Sequence, residues 1–125
     1  MDENEIGRIV VDTAIAMHRE LGSGLLETVY EVILTRELKN RGLSVKRQQS
    51  IPIDYAGLKF DEGFRADIVV EGKVIVELKS VSLVTDMFRK QLHTYLKLSG
   101  MKLGLLFNFG SPLFKDGIVR IVNKL

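Results

Sequence analysis

Phe64-Arg65-Ala66-Asp67-Ile68-Val69-Val70-Glu71-Gly72-Lys73-Val74-Ile75-Val76-Glu77-Leu78-Lys79 is the stretch on which the fold turns. Two runs rich in β-branched residues flank Glu71-Gly72-Lys73, the composition of a β-hairpin. Alternate residues of a strand share a face, so Arg65, Asp67 and Val69 point one way and Ala66, Ile68 and Val70 the other. On the partner strand Ile75, Glu77 and Lys79 share a face, opposite to Val74, Val76 and Leu78. A three-residue turn sets Val70 against Val74; counting back along both strands then sets Asp67 against Glu77 and Arg65 against Lys79. A two-residue turn sets Asp67 against Leu78 with their side chains on different faces, so the apolar pairing favours the three-residue register.

That register gathers two carboxylates and two cations on one face. Directly opposed Cβ atoms lie about 4.5 to 5.5 Å apart, and two carboxylate charges at about 5 Å repel by roughly 3 kcal/mol at an effective dielectric near 20. A bound cation, a shared proton or the neighbouring Arg65 and Lys79 are the candidates to offset this repulsion. Oxygen donors of this kind suit Mg²⁺ or Mn²⁺ better than softer metals. The spacing by itself also describes a solvated, salt-bridged sheet face, because charged alternation is common on exposed strands.

Outward from the hairpin, helices and strands follow from periodicity. Ile6, Val10, Ala14, Met17 and Leu21 recur at helical spacing between Glu5 and Leu21. Gly22-Ser23-Gly24 breaks that helix, and Leu26, Val29, Tyr30, Ile33, Leu34 and Leu38 mark a second one ending near Arg41-Gly42. Leu43 to Tyr55 reads as extended, with Pro52 at an edge or strand end, and Ala56-Gly57 turns the chain into a strand near Lys59 to Asp61. Thr85 to Leu98 is a helix with Phe88, Leu92, Tyr95 and Leu96 on its apolar side. Strands at Leu103 to Phe109 and Ile118 to Val122 close the pattern, the first apolar enough to lie centrally in the sheet.

Composition bounds what such a chain does. Its 125 residues suit one domain, 1–125. Apolar residues at 46% and charged residues at 27%, with two prolines, are globular values. With no cysteine, disulfides and thiolate metal sites are excluded. The acidic Met1-Asp2-Glu3-Asn4-Glu5 start is unlike a signal peptide, and no apolar run nears the roughly 18 residues of a membrane span, so the expectation is a soluble cytoplasmic protein without a membrane partner. A net charge of +2 does not by itself point to nucleic acid.

At Asp67 and Glu77-Leu78-Lys79 the sequence resembles the PD-(D/E)xK nuclease superfamily, whose core motif is an Asp at one strand end followed by Glu-x-Lys on the next. Gly24-Leu25-Leu26-Glu27-Thr28-Val29-Tyr30 is similar to the GxxExxY signature of a family of small prokaryotic proteins within that superfamily. Arg65-Ala66-Asp67, Val76-Glu77-Leu78-Lys79, Gln91-Leu92 with Tyr95-Leu96, and Gly104-Leu105-Leu106 with Asn108-Phe109 continue the resemblance. Two departures stand out: Ala66 where the motif name has proline, and Phe88 where many members have histidine.

The resemblance implies a restriction-endonuclease-like α/β fold, a mixed central sheet with helices on both sides, and a site in which Glu27, Asp67 and Glu77 bind Mg²⁺ or Mn²⁺. Asp67, Glu77 and Lys79 are then the catalytic residues, with Lys79 orienting water or stabilising the transition state; its plain alternative is a surface cation paired with Glu77. Glu27 without the resemblance is a helix cap three residues after Gly24. Gln91 and Tyr95, four apart on one helix face, support the site together with Arg65; a buried amide is the plain alternative for Gln91. His18 and His93 read as surface or packing residues. Lys46, Arg47, Arg89 and Lys90 are either phosphate contacts or a solvated surface. Two functions follow: a metal-dependent nuclease acting on DNA or RNA, or a non-catalytic module that binds nucleic acid or protein on the same fold. The small size favours a homodimer, a protein partner, or recognition of nucleic-acid structure or ends.

Overall fold

In the computed structural model, which describes all residues from Met1 to Leu125, the Asp2 side chain starts the first helix by accepting a hydrogen bond from the Glu5 amide at 2.8 Å. Helix α1 spans Glu3–Leu21 and α2 spans Glu27–Asn40. Strands β1 (Val45–Ser50), β2 (Ile53–Tyr55), β3 (Leu58–Phe60), β4 (Arg65–Val70) and β5 (Val74–Lys79) come next. Helix α3 (Asp86–Ser99), β6 (Leu103–Asn108), a 3-10 turn at Phe114–Gly117 and β7 (Ile118–Val122) complete the chain.

Five strands form a mixed sheet in the order β1-β4-β5-β6-β7, parallel between β5 and β6 and antiparallel elsewhere. This is the expected restriction-endonuclease-like α/β architecture. The wholly buried β6 is internal, as its composition indicated, although β5 holds the middle. The segment around Ala56-Gly57 forms a separate hairpin of β2 and β3, not a continuation of the main sheet. Pro52 lies between β1 and β2, past the end of an edge strand, where its missing N–H leaves no bond unmade.

Alternation along the strands sorts the core into two halves. Ile68 and Val70 of β4, Val74, Val76 and Leu78 of β5, and Leu103, Leu105 and Phe107 of β6 pack against Ile6, Val10, Ala14, Tyr30, Leu34 and Leu38 of α1 and α2. Val69, Ile75 and Leu106 on the other side pack against Leu92 and Leu96 of α3. Burying each of these α3 leucines contributes about 1.5–3 kcal/mol. Leu92 sits directly on Gly104, where a Cβ would stand 3.0 Å from its side chain, so the bare glycine lets α3 approach the sheet closely. By parity Glu77 shares the α3 face with Ile75, beneath the helix carrying Gln91 and Tyr95. In β4 strict alternation ends before Asp67, because its neighbour Ala66 packs with Val69 on the α3 side. No helix is long and apolar enough to cross a membrane.

Candidate active site

The β4–β5 pairing runs in the expected register, with Val70 opposite Val74, Val69 opposite Ile75 and Ile68 opposite Val76. Glu71 and Gly72 close the turn in left-handed conformation, at φ 54 and 64. Beyond Ile68 the backbone pairing stops and two side chains replace it. Asp67 Oδ2 accepts from the Leu78 amide at 2.9 Å, and Glu77 Oε1 accepts from the Asp67 amide at 3.4 Å. The strands thus fork, and both half-buried carboxylates turn into the fork, oriented by backbone donors.

Burial pushes the Glu77 carboxyl from its ordinary 4.5 up to about 9; the Asp67 charge and its hydrogen bond push the same way, while the Asp67 amide and Lys79 oppose them. Of the three ways to offset the repulsion, the metal-free protein at neutral pH uses two: a proton held on the pair, favoured by burial, and the lesser attraction of Lys79. The cations are engaged differently from the plain alternatives. Lys79 Nζ lies 4.3 Å from the centroid of the Phe88 ring, and the ion pair of the molecule is elsewhere, between Arg47 and Glu31. Phe88, the departure from histidine, is therefore the surface against which Lys79 rests.

Arg65, Glu77 and Lys79 from the strands and Phe88, Gln91 and Tyr95 from α3 line one cleft of about 300 Å³, with Phe64 and Gly63 at its edge. Gln91 is exposed and not a buried amide. Tyr95 stacks on Phe64, ring centroids 3.7 Å apart and planes 8° from parallel, and its hydroxyl lies 3.4 Å from the Gly63 carbonyl. Asp67 stands on the fork beside this cleft without lining it.

Glu27 is placed apart from the acidic pair. It begins α2 but does not cap it: Leu26 is the cap residue, and no side chain bonds the free amides there. The Glu27 carboxylate instead accepts from the Ser80 amide at 3.1 Å, and Ser80 Oγ donates to the Leu25 carbonyl at 3.0 Å. Tyr30, fully buried against Phe109, donates to the Gly22 carbonyl at 2.6 Å and accepts from the Leu25 amide at 3.2 Å. The segment from Gly22 to Tyr30 is thereby fastened to the residue that follows Lys79. No group of three His, Cys, Asp or Glu side chains gathers closely enough to hold an ion.

A family model described as the PD-(D/E)XK nuclease superfamily matches residues 4–121, nearly the full length and including all of these residues. The chain belongs to the PD-(D/E)XK nuclease superfamily. No curated protein and no solved structure matches it.

In this PD-(D/E)XK domain two further polar groups shape the site. Buried Asn108, at the end of β6, accepts from the Val81 and Gly110 amides, both at 3.0 Å, and donates to the Val81 carbonyl at 2.9 Å. It pairs with Val81 as a strand backbone does and so fixes the exit from Glu77-Leu78-Lys79. An asparagine ending a run as apolar as Leu103 to Phe107 was the available signal. Buried Glu31 on α2 binds Arg47 at 2.7 and 2.8 Å and Gln48 at 2.8 Å, tying α2 to the edge strand β1; nothing in the local sequence announces it. Arg47 is thus committed to an ion pair. Of the histidines, His18 is buried, stacked on Phe114 and bonded at Nε2 to the Ser111 carbonyl at 3.0 Å, whereas His93 is exposed.

Proposed function

We propose that this PD-(D/E)XK protein is a Mg²⁺- or Mn²⁺-dependent nuclease that hydrolyses phosphodiester bonds of DNA or RNA. The observation that carries the proposal is the fork at Asp67 and Glu77: two carboxylates held by backbone amides, one with a raised pKa, beside a lysine that has no acidic partner. Those oxygens fit a hard divalent ion, which would replace the proton that Glu77 otherwise keeps. Asp67 and Glu77 would hold the ion; Glu27, which stands apart at the Ser80 amide, is proposed as the third acidic donor, reached by swinging its carboxylate from that amide toward the fork. When bound, the ion supplies Lewis acidity toward a phosphate oxygen and toward the attacking water.

The chain's own groups do the remaining work. Lys79, resting against Phe88, offers its ammonium group to the phosphoryl oxygens as negative charge grows on them. Arg65, exposed at the mouth of the cleft, neutralises a neighbouring phosphate. Gln91 orients substrate or water from α3, and Tyr95 holds the Gly63–Phe64 edge in place.

Within the superfamily we assign the chain to the GxxExxY group, supported by the way Glu27 and Leu25 bond Ser80 while Tyr30 ties Gly22 to Leu25. The proposed setting is the cytoplasm, with action as a homodimer or with a protein partner. Mn²⁺-dependent cleavage of mixed DNA and RNA probes by the wild type, lost in Glu77→Gln, tests the activity. Cleavage that persists in Glu77→Gln overturns this assignment of the site, and metal-indifferent binding without cleavage establishes the binding-module alternative.

A further inference from the structure

We propose that the cleft between β5 and α3 is a subsite for one unpaired nucleotide next to the scissile phosphate, so that the substrate is a single strand, a frayed end or a flap and not intact duplex. This deepens the nuclease function proposed for the same fork and rests on it.

Size comes first. A cleft of about 300 Å³ is at the small end of ligand sites and admits one nucleotide, not a stacked base pair. Its chemistry then matches the three parts of a nucleotide. Phe64 and Tyr95 both line the cleft and are half-buried; they cover each other's inner face, and an outer face or edge of the pair is what a base of any identity would pack against. Gln91 presents an exposed amide, with both donor and acceptor, that bonds nothing else in the protein and can meet a base edge freed from its complement. Arg65 and Lys79, neither in an ion pair, face the phosphates. Glu77 lines the cleft while Asp67 does not, so the subsite lies to one side of the metal-binding fork.

Fluorescence anisotropy with short labelled oligothymidylate, oligouridylate and a blunt duplex of equal length, in EDTA and again in Ca²⁺, tests the subsite without cleavage. The wild type should bind a single strand at least roughly tenfold more tightly than the duplex, and the better of the two strands identifies DNA or RNA as the source of the nucleotide. Gln91→Ala, an exposed change, and Tyr95→Leu should each lose roughly tenfold on the single strand and nothing on the duplex, and Tyr95→Phe should retain the preference. Equal affinity for duplex and single strand, or variants that weaken both probes alike, overturns the subsite. Mn²⁺-dependent cleavage confined to blunt duplex leaves the nuclease function standing and sinks the subsite. Single-strand binding that follows this mutational pattern without any cleavage does the reverse.

Discussion

The amide of Leu78 donates to Asp67 across the fork at 2.9 Å, a bond that pins an acidic side chain where the β4–β5 ladder has come apart. A sheet normally keeps its amides for backbone carbonyls. Here the fork exchanges that pairing for two positioned carboxylates.

Metal binding should release a proton. Glu77 titrates near 9 without metal, so at pH 7 an ion must displace the proton it carries, and affinity for Mn²⁺ should rise with pH up to about 9. Calorimetry in two buffers of different ionisation enthalpy should give a release approaching one proton per ion at pH 7. Asp67→Asn should abolish saturable binding.

The same group sets a stability difference in the opposite direction. Its folded pKa of about 9 lies above the ordinary 4.5, so between those values the folded state binds more protons than the unfolded one. Its contribution is fully present below 4.5 and is lost as pH rises through 9. Urea unfolding of the metal-free protein should therefore show Glu77→Gln more stable than the wild type at pH 9, by on the order of a few kcal/mol. At pH 4 the two should converge.

Glu27→Gln separates an anchor from a ligand. The amide oxygen still accepts from Ser80, so folding stability should change by less than about 1 kcal/mol. Removal of the charge should nonetheless weaken Mn²⁺ by roughly ten- to a hundredfold by calorimetry, the range seen when groups around a metal are altered. Unchanged affinity would reduce Glu27 to a tether for Ser80.

The Glu31–Arg47 pair should respond asymmetrically. Glu31 is 7% exposed and Arg47 38%, so removing the arginine strands a buried charge, whereas removing the acid leaves a guanidinium that water can reach. Arg47→Ala should cost about 3 kcal/mol and Glu31→Gln about 1 kcal/mol in urea unfolding. Equal losses would show that the pair is worth no more than its packing.

The hairpin register was legible because a short turn and strict alternation leave one arrangement that buries Val70, Val74 and Val76 together. The faces of α1, α2 and α3 were legible in outline for the same reason, since periodicity reports which side of an element is apolar; Leu21, Leu26 and Val29, read as part of that pattern, are exposed at the helix ends. What periodicity does not report is which polar groups meet across elements. Lys79 resting on Phe88, Glu27 reaching Ser80, and Tyr95 stacking on Phe64 each join residues far apart in sequence whose side chains look ordinary alone. The separate β2–β3 hairpin was hidden for a related reason: its strands are three residues long, too short for alternation to show which sheet they join. The burial of His18 depends on Phe114 and Ser111, supplied by a 3-10 turn and its approach that no local pattern marked.

The parallel pairing of β5 with β6 also orders events in time. Asp67, Glu77 and Lys79 leave the ribosome before α3, yet Glu77 acquires its strand neighbour Leu106 only after the chain has crossed over the whole of that helix. Long-range parallel pairing of this kind forms late, after local hairpins are in place. The acidic pair is thus laid down on β5 before its parallel neighbour exists, and the geometry around Glu77 is complete only once the chain as far as Asn108 has been made and β6 has paired.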